Sequence, residues 1–477
     1  MSYEPVIGLE VHLQLHTKTK LFCGCLAAFG APPNSQTCPV CLGLPGVLPV
    51  LNRQAFEWGI RVALAFNCEI AQVMKFDRKQ YFYPDLPKNF QISQYDRPLA
   101  QHGHLDITVD GEVKRVGLRR IHLEEDAGKL LHEHSPTHTF IDFNRTGVPL
   151  LEIVSEPDLR SPDEAHQYLV ELKTLLQYLE VSTCNMEEGS LRCDTNVSLR
   201  PSGTQPLGVK VEVKNLNSFR AVKLALEYEV ERQAQLLERG EHLVQETRLW
   251  DAKHEVTESM RTKEEAADYR YFPEPDLVPF VIDRTAVEQL RTGLPELPAE
   301  RRKRFQEVYQ LSAYDAGVLT QQRSLADLFE ETVKRFPKPK PVANWIMGDL
   351  CAYLNENAVE PEAAKVRPEG LARLLQYIEE GTLSGKMAKE VLVQMLERGV
   401  DPAQLIREQH LRQVVDADEL ERIADEVIAA HPKSVEDYAK GKLNALMYLV
   451  GQGMKRTEGK ANPQQFTEIV KRKLARL

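Results

Sequence analysis

The chain has 477 residues, a formal net charge of −10, 42% hydrophobic residues and 27% charged residues. These are the proportions of a globular protein of about three domains with sizeable cores. No stretch approaches the roughly 20 apolar residues that span a bilayer, and Met-Ser-Tyr-Glu-Pro-Val-Ile-Gly at the start has no basic region ahead of an apolar run, so the chain reads as cytoplasmic with no membrane partner.

The first element, Val6-Ile-Gly-Leu-Glu-Val-His-Leu-Gln-Leu15, alternates as a strand and puts Gly8, Glu10, His12 and Gln14 on one face. A carboxylate and an imidazole two residues apart reach the same point above a sheet, where they suit a divalent ion or an acid–base pair. Next come Cys23-Gly-Cys25 and Cys38-Pro-Val-Cys41, two close pairs bracketing a loop with Pro32-Pro-Asn-Ser-Gln36. Four thiolates so spaced match a tetrahedral Zn²⁺ site, with a redox pair as the plainer alternative. Such a centre is structural, because four protein ligands leave no open position. Cys68, Cys184, Cys193 and Cys351 stand in apolar contexts as core residues.

Lys75-Phe-Asp-Arg-Lys-Gln-Tyr-Phe-Tyr-Pro-Asp-Leu-Pro-Lys-Asn89 mixes cations and aromatics. Such a loop suits an adenine ring stacked on an aromatic such as Tyr81, with Lys79 or Lys88 reaching phosphates; a rigid surface turn is the plainer reading. No Gly-x-x-x-x-Gly-Lys-Ser/Thr loop occurs, so any ATP site is of another kind. Arg119-Arg-Ile-His-Leu-Glu-Glu-Asp-Ala-Gly-Lys129 and then Glu152 add carboxylates. Strict alternation groups Glu124 with His122 and Arg120, whereas a bulge would bring in Glu125. Two further segments alternate. Glu188, Ser190, Arg192, Asp194, Asn196 and Ser198 share one face, and Lys210, Glu212 and Lys214 another. Interleaved charges of both signs suit a polyphosphate with its metal ion, although a solvated sheet face carries them too.

Up to about residue 290 the chain reads as a mixed sheet with irregular loops. Beyond Thr292-Gly-Leu-Pro-Glu-Leu-Pro298, helical periodicity predicts helices over 299–309, 324–336, 342–355, 368–380, 383–398, 420–431 and 434–454. The fold class is α+β, with a sheet domain at 1–292, a helical domain at 293–405 and a tail domain at 406–477. Residues 431–477 hold ten Lys or Arg against four acids, a local charge of +6 on a body of −16. A basic end on an acidic body is a footprint for phosphates or a solvated helix end.

Several blocks, taken in order, resemble one family. They include Ile7-Gly-Leu-Glu-Val-His12, Lys75-Phe-Asp-Arg-Lys-Gln-Tyr-Phe-Tyr-Pro84, Leu123-Glu-Glu-Asp-Ala-Gly-Lys129, Glu152-Ile-Val-Ser-Glu-Pro-Asp158, Met186-Glu-Glu-Gly-Ser-Leu-Arg-Cys-Asp194, Lys214-Asn-Leu-Asn-Ser-Phe219, Asp268-Tyr-Arg-Tyr-Phe-Pro-Glu-Pro-Asp-Leu-Val-Pro279 and Val450-Gly-Gln-Gly-Met-Lys-Arg-Thr-Glu-Gly-Lys-Ala-Asn-Pro463. Together they are similar to the B subunits of the bacterial aspartyl/glutamyl-tRNA amidotransferase over essentially the whole chain.

The resemblance implies a glutamine-synthetase-like cradle that uses ATP and Mg²⁺ to phosphorylate the side-chain carboxylate of Glu-tRNA(Gln), Asp-tRNA(Asn) or both. Ammonia from an amidase partner, the A component of the same amidotransferase, then displaces the phosphate. A small C component holds the assembly, and helical domains grip the tRNA. A non-discriminating aminoacyl-tRNA synthetase is a further implied partner. By the resemblance His12, Glu125 and Glu152 hold the metal with Glu10 close by, which requires a bulge or strand end at Glu125. Arg192, Lys214 and Lys79 are the expected phosphate-neutralising residues. Asp194 and Glu212 hold a second ion or orient ammonia, and Lys455, Arg456 and Lys460 meet tRNA. Only part of the family carries the cysteine tetrad, so Zn²⁺ rests on the spacing itself. Two other classes fit parts of the pattern: a zinc-clipped RNA-binding scaffold without chemistry, and a free-standing ATP-dependent ligase for a small acid.

Overall fold

The computed structural model describes residues 3–132, 135, 137–262, 269–409, 411, 417–457, 461 and 463–475. The chain divides into two compact units, Met1–Leu297 and Pro298–Leu477.

The first unit is α+β. Its strands are β1 (Tyr3–Gln14), β2 (Glu69–Ile70), β3 (Asp77–Gln80), β4 (Phe90–Ser93), β5 (Ala100–Val109), β6 (Glu112–Glu125), β7 (Pro149–Ser155), β8 (Leu191–Pro201), β9 (Val211–Lys214), β10 (Glu246–Asp251), β11 (Val256–Thr262) and β12 (Arg270–Pro273), besides four short ones. Nine form one mixed sheet in the order β11-β10-β9-β8-β1-β7-β6-β5-β2, antiparallel except for β9 with β10. Alternation sends Ile7, Leu9, Val11 and Leu13 of β1 into the core with Leu191, Cys193 and Val197 of β8.

Three helices, Arg53–Ala65, Pro162–Tyr178 and Phe219–Glu238, pack on this apolar face. Each starts at a side-chain cap: Asn52, Ser161 (followed by Pro162) and Ser218 accept from Ala55, Glu164 and Ala221 amides. Reading the first 290 residues as sheet and loop misses these helices. Their buried residues recur at helical spacing, as in Tyr168, Leu169, Leu172, Leu175 and Leu176. The opposite, polar face is partly roofed by a small sheet of order β12-β3-β4, with β4 leaning on β6.

Glu229 on the third helix is fully buried. It receives Arg232 at 2.9 Å, Arg248 at 3.1 Å, Gln233 and Thr257. Burial opposes its ionisation, yet these donors hold the carboxyl below the ordinary 4.5. A depressed folded-state value means the carboxylate contributes stability above pH 4.5 that is lost as pH falls through the lower folded value. Glu229→Gln should therefore destabilise the unit by about 3 kcal/mol near neutrality, with a smaller deficit in acid. Urea unfolding in neutral and acidic buffer measures both; equal deficits would refute the argument.

The second unit is helical, with one core from Phe305 to Ile406 and another from Leu420 to Leu474. The expected helix over 342–355 is present but contains a π-helical turn, Ile346–Leu350, between Pro339–Trp345 and Cys351–Glu356. The helix expected over 434–454 is two, Pro432–Ala439 and Leu443–Arg456. Gly441, at φ +87°, breaks it, a left-handed conformation that favours glycine. Among the described residues no helix is long and apolar enough to cross a membrane.

Candidate active site

Strand register assembles the polar face into rows. Arg192 of β8 lies opposite His12 of β1, His12 opposite Glu152 of β7, and Glu152 opposite His122 of β6. One row beyond, Asp194 lies opposite Glu10. His12 Nε2 is 3.4 Å from Glu152 Oε2 and 3.7 Å from Glu124 Oε1. His122 Nε2 is 3.3 Å from Glu152 Oε2 and 3.8 Å from Glu124 Oε2, and Arg120 Nη2 is 3.8 Å from Glu152 Oε1. Glu124, Glu152 and His122 are buried, whereas the His12 side chain keeps 20% exposure, the open edge of the group.

The electrostatics follow from this crowding. Burial and the neighbouring Glu152 carboxylate raise Glu10 to about 7. Burial works against ionised Glu152, but His122 and His12 outweigh it and hold Glu152 well below the usual carboxylate range. Burial likewise opposes an imidazolium at His122, yet the Glu152 and Glu124 charges raise it to about 9. Glu152 Oε1, His122 Nδ1, Arg120 Nε and Arg192 Nε are buried without a hydrogen-bond partner among the described residues. Orphaned polar atoms beside paired carboxylates are what a site for a charged ligand leaves.

Two groups present ligand atoms within 4.8 Å of one another: Glu10, His12 and Glu152, and His122, Glu124 and Glu152. Glu152 belongs to both. Carboxylate oxygens and imidazoles with an orphaned Glu152 oxygen fit a divalent cation. Glu125 is not among them, against the expected trio. Although β6 does end at Glu125, that side chain turns away, pairing with Lys88 Nζ and accepting from the Ile92 amide at 2.9 Å. The register shift lies at Val154/Ser155, too far along to rotate Glu125 inward. Strict alternation gives Glu124 instead, and Ser93 Oγ supports it at 3.1 Å.

The other expected residues divide by location. Lys79 on β3 is held above its ordinary pKa by Glu124 and Glu152, which overcome the cost of burial, and its ammonium stands 5.0 Å from the Tyr269 ring centre. Tyr81 also meets Tyr269 edge-on, at 5.6 Å, while Tyr95 and Tyr271 stack at 4.3 Å. Arg192 pairs with Asp126 at 3.0 Å, and Asp126 also accepts from Gln14 at 2.8 Å. Lys214 gathers Asp194 and, at 3.2 Å, Glu212, which accepts from Thr247 at 2.9 Å. Lys88 is separate: it lines a cavity of about 280 Å³ with Glu125, Arg78, Lys20, Cys23 and Cys41. His122 and Asp126 went unassigned in the sequence, although His122 and Glu124 stand two apart on one strand face, as Glu10 and His12 do.

The four cysteines of the loop converge, with sulfurs within 4.8 Å of one another. Zn–S bonds of about 2.3 Å put tetrahedral sulfurs about 3.8 Å apart, and Cys38 Sγ lies 3.9 Å from Cys41 Sγ. Cys23 donates to Cys41 and, with the Cys38 amide and Lys20, lowers the Cys41 thiol to about 4 against burial. The donor set fits zinc. Cys68, Cys184 and Cys193 are buried and Cys351 half-buried, as expected of core residues.

In the tail, Arg456 pairs with Glu426 at 2.8 Å, Lys473 with Asp425 at 2.8 Å and Arg472 with Glu421 at 2.5 Å. The helix Ala417–Ala430 thus pairs with three of the ten cations counted in the sequence. Lys455 is exposed and makes no ion pair among the described residues. Lys460 lies outside them.

Two family models match, one within each compact unit. Residues 5–288 match the GatB/GatE catalytic domain, and residues 327–474 match the GatB domain. The chain is 56% identical, over the full length of both proteins, to the aspartyl/glutamyl-tRNA(Asn/Gln) amidotransferase B subunit of Carboxydothermus hydrogenoformans. It is 57% identical to the protein of that name from Moorella thermoacetica, over 99% of this chain and all of that one. To that of Brevibacillus brevis it is 52% identical over 98% of each. The chain belongs to the family of aspartyl/glutamyl-tRNA(Asn/Gln) amidotransferase B subunits.

Proposed function

We propose that this chain is the component of a tRNA-dependent amidotransferase that activates the misacylated amino acid, a ligase forming carbon–nitrogen bonds with glutamine as nitrogen donor. The observation that carries this is the carboxylate–imidazole floor with Lys79 and Arg192 beside it. In this reading, a glutamine-synthetase-like cradle at 1–292 is followed by a helical domain at 293–405 and a tail at 406–477.

The side-chain carboxylate of Glu-tRNA(Gln), Asp-tRNA(Asn) or both attacks the γ-phosphorus of ATP, giving an acyl phosphate and ADP. Ammonia then adds to the carbonyl carbon, and inorganic phosphate leaves with the oxygen that could not leave as oxide. Phosphoryl transfer needs positioning and charge neutralisation rather than a protein nucleophile. Lys79 and Arg192 neutralise phosphate oxygens, and Tyr81 with its aromatic neighbours offers a face for the base. Asp194 and Glu212, gathered by Lys214, orient the incoming ammonia. His12, Glu124 and Glu152, with Glu10 and His122 alongside, would hold Mg²⁺, which when bound neutralises charge on the transferring phosphoryl group. The ammonia comes from glutamine hydrolysed by the amidase partner, with the small C partner holding the two together. The cysteine loop would hold a structural Zn²⁺.

The test is reconstitution with the A and C partners, supplying Glu-tRNA(Gln), ATP, Mg²⁺ and hydroxylamine in place of ammonia. Wild type should release ADP and form the hydroxamate that traps an acyl phosphate, and His12→Ala should abolish both. Full activity in His12→Ala would sink the assignment and favour an RNA-binding scaffold.

The tail is the proposed tRNA contact, held by shape and phosphates. Because Arg456 is already spoken for by Glu426 and Lys455 is not, the two should differ. Lys455→Ala should raise KM for tRNA several-fold and flatten the log–log salt dependence by about one unit. Arg456→Ala should do less. Salt titrations of tRNA binding check this, and unchanged affinity for Lys455→Ala would remove the tail assignment.

A further inference from the structure

Lys20, on the inner side of the cysteine loop, is a cation in a place where elementary electrostatics disfavours one. Its side chain is fully buried, with 0% exposure. Among the described residues it makes no ion pair with a carboxylate. Its ammonium instead points to Cys41 Sγ at 3.6 Å and to the Phe143 carbonyl oxygen at 3.4 Å. A buried cation is costly unless an opposite charge lies beside it. A carbonyl dipole compensates only in part, and a neutral thiol hardly at all. The Cys41 sulfur is thus the group within hydrogen-bond reach that can carry the balancing charge. Four thiolates around a divalent cation hold two negative charges in excess, and a cation against one sulfur offsets that excess.

We propose that Lys20 is the built-in counter-charge of a zinc–tetrathiolate centre made by Cys23, Cys25, Cys38 and Cys41, and that it ties this centre to the turn that starts β7. The proposal rests on the zinc reading above. Around Lys20 the backbone is fixed on both sides. Its amide donates to the Cys25 carbonyl at 3.0 Å, closing the hairpin that carries the first cysteine pair. Its own carbonyl accepts from Asn52 Nδ2 at 3.2 Å, and the next amide, Leu21, donates to the Gly147 carbonyl at 2.8 Å. Gly147 has φ +83°, and a Cβ there would sit 3.5 Å from both Cys41 Cβ and Lys20 Cδ, in contact with the loop. Two residues further on, β7 begins, carrying Glu152. The metal centre, Lys20 and the turn at 143–147 therefore form one packed unit under the strand that bears the shared carboxylate.

The experiment uses the chain assembled with its A and C partners and compares wild type with Lys20→Met, which keeps the stem and removes the charge. Bound zinc is measured by mass spectrometry and its release by a colorimetric chelator. Wild type should hold one zinc per chain, and Lys20→Met should lose it about tenfold faster or more. Tm is then read before and after stripping. With zinc bound, Lys20→Met should be the less stable. Once stripped, the deficit of Lys20→Met should shrink, because the excess negative charge of four metal-bound thiolates, which the ammonium offsets, is gone. A merely structural role would lower Tm equally in both states and would overturn the proposal, as would zinc release at the wild-type rate. A Lys20→Arg variant that holds zinc like wild type while Lys20→Met loses it supports the charge as the cause. Wild type purified without zinc, and unable to take it up, would overturn the zinc reading itself, a result distinguishable from the others.

Discussion

Replacing Glu152 by glutamine should reduce ammonium-driven amidation by about 10²–10³-fold, the loss of several kcal/mol of stabilisation of charge in the transition state. The substitution keeps the shape and exchanges one oxygen for an amide nitrogen. What it removes is the charge that both ligand groups share, for Glu152 touches His12 and His122 at 3.4 and 3.3 Å and stands 3.8 Å from Arg120. An amide cannot balance two imidazoles, and its nitrogen would face one of them as donor against donor. Affinity for Mn²⁺, a spectroscopic replacement for Mg²⁺ suited to a mixed imidazole–carboxylate set, should fall in parallel, while tRNA affinity should stay within a factor of about two. Ammonium in place of glutamine matters to the design, because it bypasses the amidase and isolates the chemistry proposed for this chain. Gln-tRNA formation and ADP release at wild-type rates in Glu152→Gln would mean that the floor is not where the carboxylate is activated.

The floor was legible in the sequence as pieces and not as a whole. Strand alternation puts Glu10 with His12 and Arg192 with Asp194 on their faces, because a period of two needs nothing beyond the local chain. It cannot say that β8, β1, β7 and β6 lie side by side in that order, which is what turns Arg192, His12, Glu152 and His122 into one row. His122 and Arg192 are 70 positions apart, and their association is a property of topology. The cysteine pairs were readable from spacing, since two close pairs across a loop can converge on one point, but Lys20 was not. Nothing local marks a lysine as buried, and the distant turn at 143–147 packs against it. The tail charge misled by summation. Three of its cations pair with acids of Ala417–Ala430, some 30 to 50 positions earlier, and a count within 431–477 misses those acids.

Adjacent carboxylates, Glu124 and Glu125, should fail in different ways when each is changed to glutamine. Glu124 is 3.7 Å from His12 and 3.8 Å from His122, on the floor. Its charge is held below the ordinary value by His122, Lys79 and His12 against burial and the repulsion of Glu152. Removing it relieves like-charge crowding as well as ion pairing, so Glu124→Gln should change stability little while weakening Mn²⁺ by about tenfold or more and lowering amidation with it. Glu125 faces the other way, into the cavity beside the cysteine loop, where it is the ion-pair partner of Lys88, itself only 9% exposed. Glutamine there strands a buried ammonium, and breaking such a pair from one side costs about 3–5 kcal/mol. Glu125→Gln should therefore lower Tm by several degrees and leave Mn²⁺ affinity within a factor of about two. The double variant Lys88→Met/Glu125→Gln should recover much of that stability, since no uncompensated charge remains. Electron paramagnetic resonance of Mn²⁺ with thermal unfolding of the same samples separates the two. If Glu125→Gln loses the ion and Glu124→Gln keeps it, then Glu125 leaves Lys88 and swings onto the floor when the metal binds, and its ion pair with Lys88 is the resting position of a ligand.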